Sequence, residues 1–231
     1  MSITIISIFA MVNFFIMSTY REAVYLIRDE IKKTNDDSIW ENEHLIFLLE
    51  KYRAVILKQR YSGNTKKIPS INYQPIKVKV PATTKVGSIK LPYVMDIGGN
   101  SFSSVILQDG FTNTTLTLVS PERFAFVGEN CYLSAISYCT VDYEKYFRIT
   151  STSNTDRIFT LFGILDKPSG MSLYNAEFSN TSAQDILDMD IPIEEALLME
   201  VINYVLKDLG ATAMFSRDKL NNATDDAGIT K

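Results

Sequence analysis

The chain has 231 residues, of which 46% are hydrophobic and 22% charged, a balance that excludes an intrinsically disordered protein and is ample for a sizeable core. Its formal charge of −4 removes the overall basic excess of a non-specific nucleic-acid binder, so any such contact must come from the local placement of charge. A single histidine and two cysteines exclude chemistry that needs several of either.

Residues 1–17, MSITIISIFAMVNFFIM, carry no charge. They are fewer than the roughly twenty apolar residues of a spanning helix, and a positive n-region and small-residue cleavage site are not evident. Met17 stands directly before a helix start, so the stretch reads as an apolar leader from an upstream start codon; a buried N-terminal arm and a membrane anchor are the alternatives. No membrane partner is expected.

Thr19 and Glu22 have the spacing of a capping box, after which Tyr20, Ala23, Val24, Ile27 and Ile31 recur at helical period. The polar run 32–38 ends this helix. Ser38 and Glu41 repeat the capping signal, and Leu45, Leu48, Leu49, Tyr52 and Ile56 form a second stripe that ends near Gly63. Residues 18–67 therefore read as a helical hairpin.

From 68 to 182, short runs rich in β-branched and aromatic residues alternate with turn residues. Strands are predicted at 76–80, 88–95, 103–107, 115–119, 123–127, 131–141, 146–151 and 157–165, with turns at Gly98-Gly99, Asp109-Gly110, Gly128-Glu129 and Pro168-Ser169-Gly170. Many short strands indicate a sandwich or barrel. A closing helix follows within 183–215: Asp190 can cap it, Pro192 suits its first turn, Ile193, Leu197, Leu198, Val201, Ile202, Val205 and Leu209 line one face, and Gly210 stops it. Residues 216–231 are a polar tail. The fold class is α+β: the hairpin and C-terminal helix form a small bundle, and a central, mainly antiparallel β-sandwich or barrel domain lies between them.

Candidate chemistry is sparse. Cys131 and Cys139 lie eight apart in one predicted strand, on one face but too distant to bond, so buried thiols in a reducing compartment are expected. Glu41 and His44 spell half of a di-iron carboxylate motif whose other half needs a second histidine, so His44 is expected to face solvent or an interface. No Gly-x-Ser-x-Gly elbow is present. Asp188-Met189-Asp190 and other carboxylate pairs are weak signals in a chain with 27 acidic residues, and Gly98-Gly99-Asn100-Ser101 lacks both the Walker lysine and GxGxxG spacing. No catalytic residue, metal or cofactor is expected.

The informative feature is charge segregation. Residues 51–90 hold ten basic side chains and no acid, whereas residues 177–200 hold seven acids and no Lys or Arg. Solvated faces would explain this, as would a channel whose cations meet phosphates. The sharper expectation is complementarity. Lys51, Arg53, Lys58, Arg60, Lys66 and Lys67 would face a neighbouring subunit or the DNA backbone, and Asp185, Asp188, Glu194 and Glu195 would form the matching acidic flank. Tyr52 and Tyr61 are read as core and rim residues rather than stacking platforms.

The segments MSTYREAVYLIRDEIKKTNDDSIWENEHLIFLLEKYRAVILKQRYS and IPIEEALLMEVINYVLKDLG, the latter followed by NNATDD, resemble the terminal helical regions of ring proteins in the head-to-tail assembly of crAss-like podophages. This resemblance covers about a third of the chain directly. It implies a structural virion subunit of a closed, dodecameric ring stacked between portal and tail, through which DNA passes, made in the host cytoplasm and housed in the phage neck or tail. The central domain carries no matching motif. Two rival readings remain at this point: a ligand- or carbohydrate-binding β-module presenting tyrosines to sugars, and a carboxylate-pair glycosidase.

Overall fold

A computed structural model describes residues 18–34, 40–63, 67–97, 101–109, 112–127, 137–150 and 155–215. The expectations for the leader 1–17, Ser38, Lys66, Gly98-Gly99, Gly110, Gly128-Glu129, Cys131 and the tail 216–231 fall outside the described residues.

Helix α1 (Tyr20–Thr34) starts at its capping box. The Thr19 N–H donates to Glu22 Oε2 at 3.1 Å and the Glu22 N–H to Thr19 Oγ1 at 3.3 Å, which satisfies two of the donors a helix start leaves free. Helix α2 (Asn42–Tyr61) takes Glu41 as its cap residue, without a side-chain cap bond.

A six-stranded sheet follows, built from β1 (Gln74–Val80), β2 (Phe102–Asp109), β3 (Thr112–Leu118), β4 (Tyr138–Val141), β5 (Phe147–Ile149) and β6 (Arg157–Gly163). Their spatial order is β1-β6-β2-β3-β4-β5, antiparallel throughout except for the parallel pair β3 and β4. The pleat sets the inside: Ile76, Val78 and Val80 of β1 are buried while Lys77 and Lys79 face out, and Leu161 lies opposite both Ile76 and Val105.

The sheet curls into a half-barrel, and an extended segment at 85–91 links its last strand to its first. The Ile149 N–H donates to the Lys85 carbonyl, the Gly87 N–H to the Phe147 carbonyl at 2.7 Å, and the Ser88 N–H to the Lys79 carbonyl at 2.9 Å. The strand expected at 88–95 is therefore irregular extended chain, bridged only singly at Val94 to Leu165.

Two further corrections concern helices. Residues expected as a strand at 123–127 belong to α3 (Pro121–Val127), whose first turn is closed by the Arg123 and Phe124 N–H groups donating to the Ser120 carbonyl. The turn expected at Pro168-Ser169-Gly170 is present, but it leads into a helix the reading did not anticipate, α4 (Gly170–Ser179).

The closing helix α5 (Glu195–Phe215) begins later than expected. The Glu194 carbonyl accepts from Leu197 and Leu198 N–H, while Asp190, the expected cap, pairs with Thr19 in an isolated antiparallel bridge. The helix also continues through Gly210, the expected stop. A glycine ends a helix by adopting the left-handed conformation, and here Ala211, Ala213 and Met214 favour continuing instead.

Two cores result. One joins α1, α2 and α5 through Tyr20, Ile27, Leu45, Leu57, Val201 and Val205. The other lies on the concave side of the sheet around Ile76, Val105, Phe147, Phe159 and Leu161, closed by Met171 and Tyr174 of α4. Met189 packs against both. Each fully buried aliphatic or aromatic side chain contributes about 1.5–3 kcal/mol relative to exposure.

Candidate functional site

The two cores meet at a buried polar hub on α2. Arg53, expected to face a partner, is 1% exposed because it falls on the apolar stripe of α2 with Leu49, Ile56 and Leu57. Its Nε donates to the Pro192 carbonyl at 2.9 Å and its Nη1 to the Leu165 carbonyl at 2.8 Å, which ties the approach to α5 to the end of β6. Burial pulls the guanidinium down to about 10, against the attraction of nearby Glu50 and Asp166. Glu50, also buried, accepts the Tyr20 hydroxyl at 3.1 Å and the Ser169 N–H at 2.7 Å. Arg53 thus holds the fold together from within.

Of the remaining basic residues, Lys51, Lys58, Arg60 and Lys67 are exposed. Lys51 lies 3.6 Å from Asp208 of α5, the carboxylate that also accepts the Tyr52 hydroxyl at 2.8 Å, and Tyr52 stacks on Tyr204 with ring centroids 5.8 Å apart. Lys58 and Arg60 stand in the last turn of α2, where cations favour the carbonyl end of the helix. Lys67 is exposed just beyond it.

Among the acids, Asp185 and Asp188 flank Arg21 of α1 at 3.5 and 2.8 Å. Glu194 is half-buried and accepts the Tyr61 hydroxyl and, at 3.4 Å, the Asn72 side-chain amide. Burial, then the bond to Glu194, pushes the Tyr61 hydroxyl up to about 12. Glu195 is exposed at the start of α5. The basic and acidic sets therefore do not converge on one site. Asp208 and Glu194 answer α2 within the chain, while Lys58, Arg60, Lys67 and Glu195 lie on its surface.

The outer side of α2 carries a feature that charge reading alone misses. Phe47, Lys51, Val55 and Lys58 recur three and four residues apart, and with Glu50 and Ala54 they face Asp166 and Lys167 across a cleft of about 270 Å³. Phe47 and Val55 are 49% and 41% exposed, and the Lys167 ammonium lies 5.9 Å from the Phe47 ring centroid. The sequence signal was available: these two apolar residues sit off the buried stripe of α2.

Chemistry-bearing residues are sparse in the fold as well. His44 is exposed and stacks on Trp40, ring centroids 5.3 Å apart. Burial pushes the Cys139 thiol up to about 12, which leaves it unreactive at neutral pH. Among the described residues no group of three or more His, Cys, Asp or Glu is placed to hold a metal ion, and no helix is long and apolar enough to cross a membrane.

A sequence model of the family described as phage tail ring protein 2 matches residues 22–227. Ring protein 2 of Bacteroides phage crAss001 is 32% identical over 224 residues, covering 90% of this chain and 97% of that protein. The family match runs from α1 through the sheet and the whole of α5.

Proposed function

Because the chain belongs to the phage tail ring protein 2 family, we propose that it is a non-catalytic subunit of a closed, dodecameric ring in the head-to-tail assembly of a crAss-like phage. The ring stacks between portal and tail, with other ring or tail proteins as neighbours, and DNA passes through its lumen. Assembly takes place in the host cytoplasm and the finished ring resides in the virion neck or tail. The observation that carries this reading is the match to a ring protein along nearly the whole of both chains.

Physical arguments support it. The helices are locked to the sheet by Arg53 and Glu50, so the subunit can dock as one body while its surface charges stay available. Lys51, Lys58, Arg60, Lys66 and Lys67 supply contacts to a neighbouring subunit or to DNA phosphates, and Asp185, Asp188 and Glu195 supply the acidic flank. Contacts to phosphate carry no sequence information, which suits a conduit through which a whole genome moves.

Phage carrying Lys58, Arg60, Lys66 and Lys67 all replaced by Glu tests the charge-based part of this reading. Ring formation or genome retention is expected to fail in it. Virions that assemble and keep their DNA normally would contradict a partner role for these residues.

A further inference from the structure

A closed ring of identical subunits needs two different surfaces per subunit, one to receive and one to insert, because a self-complementary patch stops at a dimer. The α2 cleft has the character of a receiving surface. Its apolar part is Phe47, Ala54 and Val55, and its rim carries Lys51, Lys58 and Lys167. Glu50, the innermost acid, is already taken by Tyr20 and Ser169. At about 270 Å³ the cleft falls below the roughly 300–1,000 Å³ of a small-molecule pocket and suits one or two side chains.

A second surface has the opposite sign. Arg21 of α1 lies between Asp185 and Asp188, Tyr25 reaches Arg21 from one turn further on, and Ile186 sits between the two aspartates in sequence. Glu22 and Asp190 border the same helix start, Glu22 through its bond to Thr19 and Asp190 through its bridge to Thr19. Four acids against one arginine leave this surface negative around two exposed apolar residues, and Tyr25 is 54% exposed. The buried Tyr20–Glu50 hydrogen bond joins the helix that carries this surface to the wall of the cleft, so both belong to one stiff body.

We propose that the α2 cleft is the socket into which the neighbouring copy of this chain seats the Tyr25–Ile186 end of its own surface, so that one heterologous contact repeats around the ring. This rests on the ring reading above. An exposed tyrosine held by Arg21 beside an acidic helix start meets an apolar cleft lined by three lysines and Asp166: the aromatic anchor supplies burial, and the net opposite charges set orientation and encounter rate.

Two pairs of exposed substitutions in the full chain test it by native mass spectrometry: Phe47→Asp with Val55→Asp to close the socket, and Tyr25→Asp with Ile186→Asp to blunt the insert. Wild-type protein is expected to form a large closed oligomer and each double variant a monomer. Mixed one to one, the two variants are expected to form a dimer containing one of each and nothing larger, because one intact socket and one intact insert remain. Should either variant melt well below the wild type, reversal of Lys58 and Lys167 to Glu and of Asp185 and Asp188 to Lys takes its place: each variant alone is expected to be a monomer, and because the two reversed surfaces are complementary to each other, a closed oligomer of alternating variants is expected on mixing. A wild-type ring that persists in either variant, or a mixture that stays monomeric, overturns the socket while leaving the ring standing. Wild-type protein that remains monomeric at all concentrations, alone and mixed with candidate portal and tail proteins, overturns the ring reading and the socket with it.

Discussion

Arg53 carries its charge into the interior, where its Nε and Nη1 donate to the main-chain carbonyls of Pro192 and Leu165 rather than to water. Removing such a group leaves buried acceptors and a neighbouring Glu50 without compensation, so Arg53→Ala is expected to destabilise the protein by about 3–5 kcal/mol in urea unfolding. Arg53→Met, which keeps most of the volume, should recover part of that loss. Titration at high pH offers a second check. The unfolded chain loses the Cys139 proton near 9.0 and the Tyr61 proton near 10.0, whereas both stay bound in the folded chain up to about 12. Over that window the unfolded state binds fewer protons than the folded one, so stability falls as pH rises. Arg53 acts in the opposite sense above about 10, since its folded form releases its proton first. Tyr20 and Tyr174, both raised by burial, add to the fall. The melting temperature should therefore drop between pH 9 and 12, and Tyr61→Phe should flatten the drop. The burial of Arg53 was legible in its place on the α2 stripe; its partners were not, because the Leu165 and Pro192 carbonyls lie more than a hundred residues away in sequence.

At the level of elements, local signals were reliable where they were complete. The Thr19 and Glu22 capping box and the stripes of α1, α2 and α5 needed only near neighbours in sequence to be read. Ser120-Pro121-Glu122 is an equally good helix start, but the aromatics Phe124 and Phe126 drew the reading toward a strand. The segment at 85–91 was beyond local reading, since its bonds run to Lys79, Phe147 and Ile149 on two different strands. Two glycines separate these cases. A Cβ at Gly87 would meet Val78 Cγ1 at 2.7 Å and Phe147 Cβ at 3.5 Å, so Gly87→Ala should cost about 1–3 kcal/mol by forcing the segment off the sheet. Nothing lies within 4 Å of a Cβ at Gly210, so Gly210→Ala should stabilise α5 by about 0.5–1 kcal/mol. Thermal unfolding of both variants reads out the opposite signs.

The whole molecule consists of two cores locked together by a polar hub, with apolar and charged groups left on its surface. The α+β layout was legible because helical period gives way to β-branched runs at 68 and returns after 182. The candidate interface was only half legible. Charge segregation marked α2 and the 177–200 stretch, but the fold determines which of those charges stay outside: Glu194 and Asp208 serve α2 of the same subunit, and Asp185 and Asp188 gather around Arg21. The most direct test of the ring account is the mass of the purified full chain by native mass spectrometry, alone and mixed with candidate portal and tail proteins. A closed oligomer of many subunits, formed alone or on mixing, is the predicted result; a monomer that ignores every virion partner would contradict the account.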